Sequence, residues 1–73
     1  MKGYNVQLTW DDEAEVWLAT SEDIPGLILE ADSADKLIKR VLLAAPEIIE
    51  LNGVEKRKDF YFHCDRHERA ALA

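Results

Sequence analysis

The chain has 73 residues, of which 48% are apolar and 33% are charged, and its formal net charge at pH 7 is −6. These values predict one globular domain, and no apolar stretch approaches the ~20 residues that a membrane span needs. The acidic balance argues against direct nucleic-acid binding, because such binding depends on Lys and Arg neutralising phosphates.

The first residues and the cysteine content favour a cytoplasmic protein. Met1, Lys2 and Gly3 lead straight into alternating apolar and polar residues, with no apolar region before a cleavage site. The single cysteine, Cys64, cannot form an internal disulfide, whereas small secreted domains usually depend on several. Because so short a chain buries a limited core, we expect a homo-oligomer, a dimer or larger, to extend it.

Alternation of apolar and polar residues predicts three strands in the first half of the chain. They span residues 4–10, 15–21 and 27–31. The first two are joined closely enough for an antiparallel hairpin. Before the third, Pro25 fixes φ for a turn and Gly26 accepts a positive φ beside it.

A helix and a fourth strand complete the chain. The N-cap residues Asp32 and Ser33 precede a helical pattern that runs to Leu51. Pro46 cannot donate to the carbonyl of Leu42, so we expect a kink, or two helical pieces meeting near Ala45. Residues 59–64 alternate as a fourth strand, and residues 65–73 are either a frayed end or a short helix.

The order of elements predicts an α+β fold. In a β-β-β-α-β chain, a right-handed crossover makes the fourth strand parallel to the first. We expect one domain over residues 1–73, with a mixed four-stranded sheet in the order 3-2-1-4 and one Pro-kinked helix on one face.

The helix has a wider apolar arc than one core requires. The arc spans roughly half of the circumference, beyond the ≳ 100° typical of a helix packed on a single core. Either loops and the C-terminal residues cover the excess, or it is a surface for self-association or a partner. Leu43 adds an apolar residue to the polar side, and Trp17, Ile28 and Tyr61, with Leu29 as a further candidate, would leave an apolar patch on the sheet opposite the helix. The predicted partner-binding residues are Trp17, Ile28, Leu43 and Tyr61.

Several short segments together resemble a known family. They are the strand at residues 16–20, the turn at 23–26, the helix opening at 31–33, and the stretch 46–50, which reads Pro-Glu-Ile-Ile-Glu. Their order and spacing look like the HicB-like antitoxin family, and in particular a short, stand-alone and functionally uncharacterised branch of it. The likeness covers residues 4–53.

The resemblance implies a partial RNase H-like fold and an antitoxin function. Antitoxins of this family bind a small basic HicA-like toxin that cleaves mRNA, and they block its catalytic histidine. Many also carry a C-terminal DNA-binding module, but only nine residues follow Cys64 here, so we expect no operator binding. Short stand-alone members need not have a toxin partner, which leaves toxin pairing open.

RNase H-like enzymes hold metal ions with clustered carboxylates, one of which projects from the middle of the first strand. This chain has Asn5, Gln7 and Thr9 there, and its acidic residues fall in turns. We therefore expect solvated turns rather than a metal-dependent nuclease. We expect no enzyme activity, no cofactor and no metal.

Two further groups admit a functional and a plain interpretation. His63, Cys64 and His67 have zinc-ligand chemistry, but neighbouring strand residues point to opposite faces, which favours a core-facing Cys64 with two surface histidines. The helix carries a basic stripe of Lys36, Lys39 and Arg40, which is either a solvated face or an RNA contact.

The leading hypothesis is a non-enzymatic, HicB-like antitoxin-type interaction domain that oligomerises and blocks a small basic mRNA-cleaving toxin. The alternative is a stand-alone small-molecule or regulatory binding module without a toxin. Neither involves a membrane.

Overall fold

The computed structural model describes residues 3–65 of the chain. Its elements are β1 (Gly3–Asp11), β2 (Val16–Thr20), β3 (Ile28–Ala31), α1 (Ala34–Leu51) and β4 (Asp59–Asp65). The predicted order is confirmed, and each boundary lies within two residues of the sequence-based one. The predicted frayed end or short helix falls after residue 65, outside the described residues.

The four strands form one mixed sheet in the order β3-β2-β1-β4. β2 is antiparallel to both β1 and β3, whereas β4 is parallel to β1. The parallel pair requires a crossover, and α1 supplies it across one face of the sheet. The predicted α+β arrangement, with one helix and the strand order 3-2-1-4, is therefore confirmed.

The core lies between α1 and one face of the sheet. Period-two alternation in β1 turns Tyr4, Val6 and Leu8 towards the helix, and each is at most 2% exposed. The helix contributes residues spaced three or four apart, which is the spacing of a single helical face. The buried helix residues are Leu37, Val41, Ala45 and Ile49.

Polar side chains close both ends of α1. The Ser33 side chain accepts a hydrogen bond from the Lys36 N–H at 3.1 Å, which satisfies one of the free donors of the first turn. At the other end, the Asn52 N–H donates to the Ile48 carbonyl, and the Asn52 side chain reaches the Pro25 carbonyl at 3.2 Å. The second contact ties the end of the helix to the loop before β3.

Pro46 lies inside a single helix of 18 residues. The alternative of two helical pieces meeting near Ala45 is therefore wrong. Ala45 and Ile49 are buried on either side of the proline and hold both parts of the helix against the same sheet, while Pro46 itself faces solvent. The proline removes one donor from the helix without dividing it.

The helix lies closest to β2 and β3. Arg40 contributes to this position, because its guanidinium donates to the Glu30 carbonyl at 3.1 Å. Phe60 and Phe62 of β4 pack against the core but stay half-exposed. Within residues 3–65, no helix is long and apolar enough to cross a membrane.

Candidate functional site

The sheet face opposite α1, called here the open face, has no element of the described chain packed on it. Strand register places the side chains that alternate with the core residues on this face. Most of them are polar, in contrast to the apolar face under the helix. They include Asn5, Gln7, Thr9, Leu18, Thr20, Ile28, Glu30, Tyr61 and His63.

The prediction that Trp17 lies opposite the helix is wrong. Trp17 pairs with Trp10, which lies two residues beyond the buried Leu8 and therefore on the helix side of β1, and Trp17 packs against the core. The Trp10 and Trp17 rings meet edge to face with centroids 5.6 Å apart. Leu29 lies on the same side, because it pairs with the buried Ala19.

The other three predicted partner-binding residues are exposed but do not form one patch. Ile28, 72% exposed, lies on the β3 edge of the open face, and Tyr61, 44% exposed, lies on the β4 edge. The two inner strands separate them with polar side chains. Leu43, 83% exposed, lies on the opposite side of the domain, on the helix. The predicted apolar patch is therefore absent from the described part of the open face.

A polar network holds the loop between β2 and β3 against β1. Asp23 Oδ2 accepts hydrogen bonds from the Asn5 backbone N–H at 2.8 Å and from its side-chain amide at 3.3 Å. The Ser21 hydroxyl donates to the Asn5 carbonyl at 2.6 Å and accepts from the N–H groups of Asp23 and Ile24 at 3.1 and 3.2 Å. Two loop side chains thus satisfy β1 backbone groups that lie beyond the paired part of β2.

The network lines a polar cavity of about 370 Å³, formed by Asn5, Gln7, Ser21, Glu22 and Asp23. The backbone hydrogen bond from Asn5 lowers the pKa of Asp23 below its ordinary value, opposed by desolvation and assisted by the Asn5 amide and the Arg57 charge. Asp23 is therefore a carboxylate at neutral pH, and Glu22 adds a second acidic residue at an exposed position of the same cavity.

Arg57 connects this network to the segment between α1 and β4. Its guanidinium donates to the Gly3 carbonyl at 3.0 Å and lies 3.5 Å from Asp23 Oδ1. The hydroxyl of the buried Tyr4 donates to the Glu55 carbonyl at 2.7 Å and accepts from the Arg57 N–H at 2.8 Å. Residues 55–57 are thereby fixed to the beginning of β1.

Sequence reasoning did not identify these anchoring residues. Ser21 and Asp23 could have been identified from their two-residue spacing, which is typical of side chains that cap turns. Tyr4 could have been identified from its place on the apolar side of a strand, because a buried phenol hydroxyl needs a hydrogen-bond partner.

The cysteine and histidine of β4 do not form a metal centre with other described residues. Cys64 pairs with the buried Leu8 and so lies on the helix side of the sheet, as alternation predicts, but it is exposed and does not join the core. The helix lies closest to β2 and β3, on the other side of β1 from this edge strand. His63 Nε2 lies 2.9 Å from Asn5 Oδ1 on the open face. His67 lies outside the described residues, among which no group of three or more His, Cys, Asp or Glu could hold a metal ion.

The Asp11 side chain holds the turn of the β1–β2 hairpin. Asp11 Oδ1 accepts from the N–H groups of Glu13 and Ala14 at 3.0 and 3.2 Å, and Glu15 adopts a positive φ of 56°.

The middle of β1 presents Asn5, Gln7 and Thr9 to the open face. The face therefore offers hydrogen-bonding groups from the strand and negative charge from Glu22, Asp23 and Glu30.

Most basic side chains of the described chain lie away from the open face. Lys36, Lys39 and Arg40 are on the helix, and residues 56–58 precede β4. Arg57 is the exception, because it meets Asp23 at the rim of the cavity and offsets part of its charge. Glu22 and Glu30 remain exposed, and they give the open face an acidic character. A positively charged partner is the electrostatic complement of such a face.

These features define a small α+β domain with an acidic sheet face on which no element of residues 3–65 packs. Its sequence matches the family described as a domain of unknown function (DUF1902) over residues 3–73, and the chain belongs to that family. It is 32% identical to the hypothetical protein TTHA1013 from the extremely thermophilic bacterium Thermus thermophilus. The crystal structure of that protein is similar with a TM-score of 0.77, over 97% of this chain and 100% of the other. No curated protein matches the chain.

Proposed function

We propose that this chain is a non-enzymatic interaction domain of the HicB-like antitoxin type, which self-associates and binds a small basic protein through its open face. The acidic character of that face carries the proposal. Glu22, Asp23 and Glu30 share it with the exposed side chains of Ile28 and Tyr61, so it combines negative charge with apolar anchoring points.

The cavity beside Asp23 suits a basic side chain of the partner. Its volume is about 370 Å³, and its lining combines two carboxylates with amide and hydroxyl groups. The lowered pKa keeps Asp23 charged across the physiological range. A Lys or Arg entering the cavity meets Glu22 first, since Glu22 is exposed and Asp23 already contacts Arg57.

The resemblance to HicB-like antitoxins indicates the class of partner, a HicA-like toxin that cleaves mRNA. Such a toxin is small and basic, so its charge is complementary to that of the acidic open face. Electrostatic attraction of this kind raises the rate of association more than the final affinity. In this proposal the domain acts in the cytoplasm and covers the catalytic histidine of the toxin.

Co-expression with the product of a neighbouring reading frame that encodes a small basic chain tests the proposal. We expect the domain to relieve growth inhibition, and the double variant Glu22→Lys, Glu30→Lys to lose that rescue. The control variant Glu13→Lys, Glu55→Lys changes the net charge equally at exposed loop positions outside the open face, and it should still rescue. The absence of such a frame, or of rescue by the unmodified domain, would rule out toxin binding.

The alternative is a stand-alone module that binds a small polar molecule without a toxin. The cavity beside Asp23 supports it, because its amide, hydroxyl and carboxylate groups converge on one space. Thermal-shift screening of small cationic metabolites separates the two functions. A stabilising ligand whose effect is lost in Glu22→Gln would favour this module, whereas stabilisation by the basic chain alone would favour the toxin partner.

A further inference from the structure

The outer face of α1, opposite its buried residues, carries an ordered charge pattern. At 100° per residue, five side chains fall within an arc of about 80° directly opposite the buried side of the helix. All five are exposed, and Leu43 among them is 83% exposed. In chain order they are Lys36, Lys39, Leu43, Glu47 and Glu50.

The pattern is symmetric about Leu43 with the charge reversed. Lys39 and Glu47 each lie four residues from Leu43, and Lys36 and Glu50 each lie seven residues from it. Along the helix axis these separations are about 6 and 10.5 Å. A second copy of α1 packed antiparallel, with the two-fold axis at Leu43, therefore sets each lysine against a glutamate of the other copy.

The order of these charges is unfavourable for the dipole of the helix itself. A helix is stabilised by acidic residues in its first turn and basic residues in its last, yet here the lysines come first and the last turn has no basic residue. Glu47 and Glu50 are three residues apart and repel each other. Lys36 pairs with Asp32 at 3.3 Å, an exposed contact that solvent screens and that a second copy can replace.

We infer that α1 is the surface through which two copies of this chain associate, as an antiparallel helix pair centred on Leu43. This inference rests on the self-association in the proposed function and assigns it to one surface. The spacing of three and four residues along the outer face suits helices that cross about 20° from antiparallel. The two Leu43 side chains meet on the axis, and four Lys–Glu pairs flank them. The open face lies on the other side of the sheet, so this helix pair does not cover it.

Charge-reversal variants test the pairing. Variant A carries Glu47→Lys and Glu50→Lys, which makes the outer face basic throughout, and variant B carries Lys36→Glu and Lys39→Glu, which makes it acidic. We expect the unmodified chain to dimerise with concentration and each variant alone to weaken the dimer about tenfold or more. An equimolar mixture of A and B should restore the dimer, because every flanking pair is again opposite in charge.

Sedimentation velocity at several protein and salt concentrations is the measurement, with circular dichroism to show that each variant is folded. Leu43→Asp should abolish the dimer, whereas Leu51→Asp, at a residue of similar exposure outside the arc, should leave it intact. If the dimer is unchanged in A and B, or if the mixture does not restore it, the α1 interface is wrong but the chain still self-associates. If the unmodified chain is a monomer at all concentrations, both the interface and self-association are wrong. Binding of the basic partner is tested independently by the co-expression experiment.

Discussion

Replacement of Tyr4 by Phe isolates the contribution of one buried hydroxyl. That hydroxyl donates to the Glu55 carbonyl at 2.7 Å and accepts from the Arg57 N–H at 2.8 Å. Phe keeps the ring contact with Phe60, whose centroid is 5.0 Å away, and with the Arg57 guanidinium, 5.4 Å from the ring centre. The substitution therefore removes two hydrogen bonds and little else.

The expected cost is about 2 kcal/mol, because each hydrogen bond contributes roughly 1 kcal/mol net and both backbone partners lose their bond. A domain of this size has a free energy of unfolding of roughly 4–11 kcal/mol, so the loss is large. In thermal unfolding it corresponds to a decrease in Tm of about 8–16 °C. In urea it corresponds to a shift of the midpoint by about 1–2 M.

Circular dichroism during urea unfolding, at one fixed protein concentration, measures the effect. Tyr61→Phe is the matched control, because it makes the same change at a residue that is 44% exposed on the open face. We expect the control to stay within about 0.5 kcal/mol of the unmodified chain. If Tyr4→Phe cost no more than Tyr61→Phe, the hydroxyl would not be anchoring the segment before β4.

Three further predictions concern the loop network and the β1–β4 contact. Ser21→Ala removes three hydrogen bonds at a half-buried position and should reduce the unfolding free energy by about 1–2 kcal/mol in chemical denaturation. Asp23→Asn should lower Tm at pH 6, and its difference from the unmodified chain should shrink as pH falls below the ordinary value of 3.8. The pKa of Asp23 is lower in the folded chain than in the unfolded chain, so its carboxylate stabilises the fold above the unfolded pKa, and this stabilisation is lost as pH falls through the folded pKa. An equal difference in Tm at pH 3 and pH 6 would contradict this linkage. Gly3→Ala should lower Tm by several degrees, since a Cβ there would lie 2.7 Å from the Asp59 carbonyl oxygen; an unchanged Tm would show that the strands adjust.

The strands, the helix and the sheet order were predictable because their signals are local. Alternation along β1 and caps such as Ser33 depend on residues a few positions apart. The placement of Trp17 was not predictable in this way. Alternation assigns the side chains of a strand to two faces, but it does not say which face the helix covers. That choice is made by the register, which pairs Ala19 with the buried Leu8.

The polar network was not predictable for a related reason. Asp23 reads as an ordinary turn residue, yet its acceptor role depends on Asn5, which lies 18 residues earlier in the chain. The exposure of Cys64 likewise depends on the lateral position of α1, which a helical pattern does not specify. The acidic character of the open face was partly visible, because Glu22 and Asp23 share one predicted turn.

The parallel contact between β1 and β4 determines when the fold can be completed. Every residue of β1 in that contact pairs with one 56 positions later. At about 5–20 residues per second, the ribosome makes β4 roughly 3–11 s after β1. Until then the nascent chain has the β1–β2–β3 meander and the helix, while one edge of β1 stays unpaired. Such an edge invites pairing with other chains, so the yield of folded protein should depend on how promptly β4 docks.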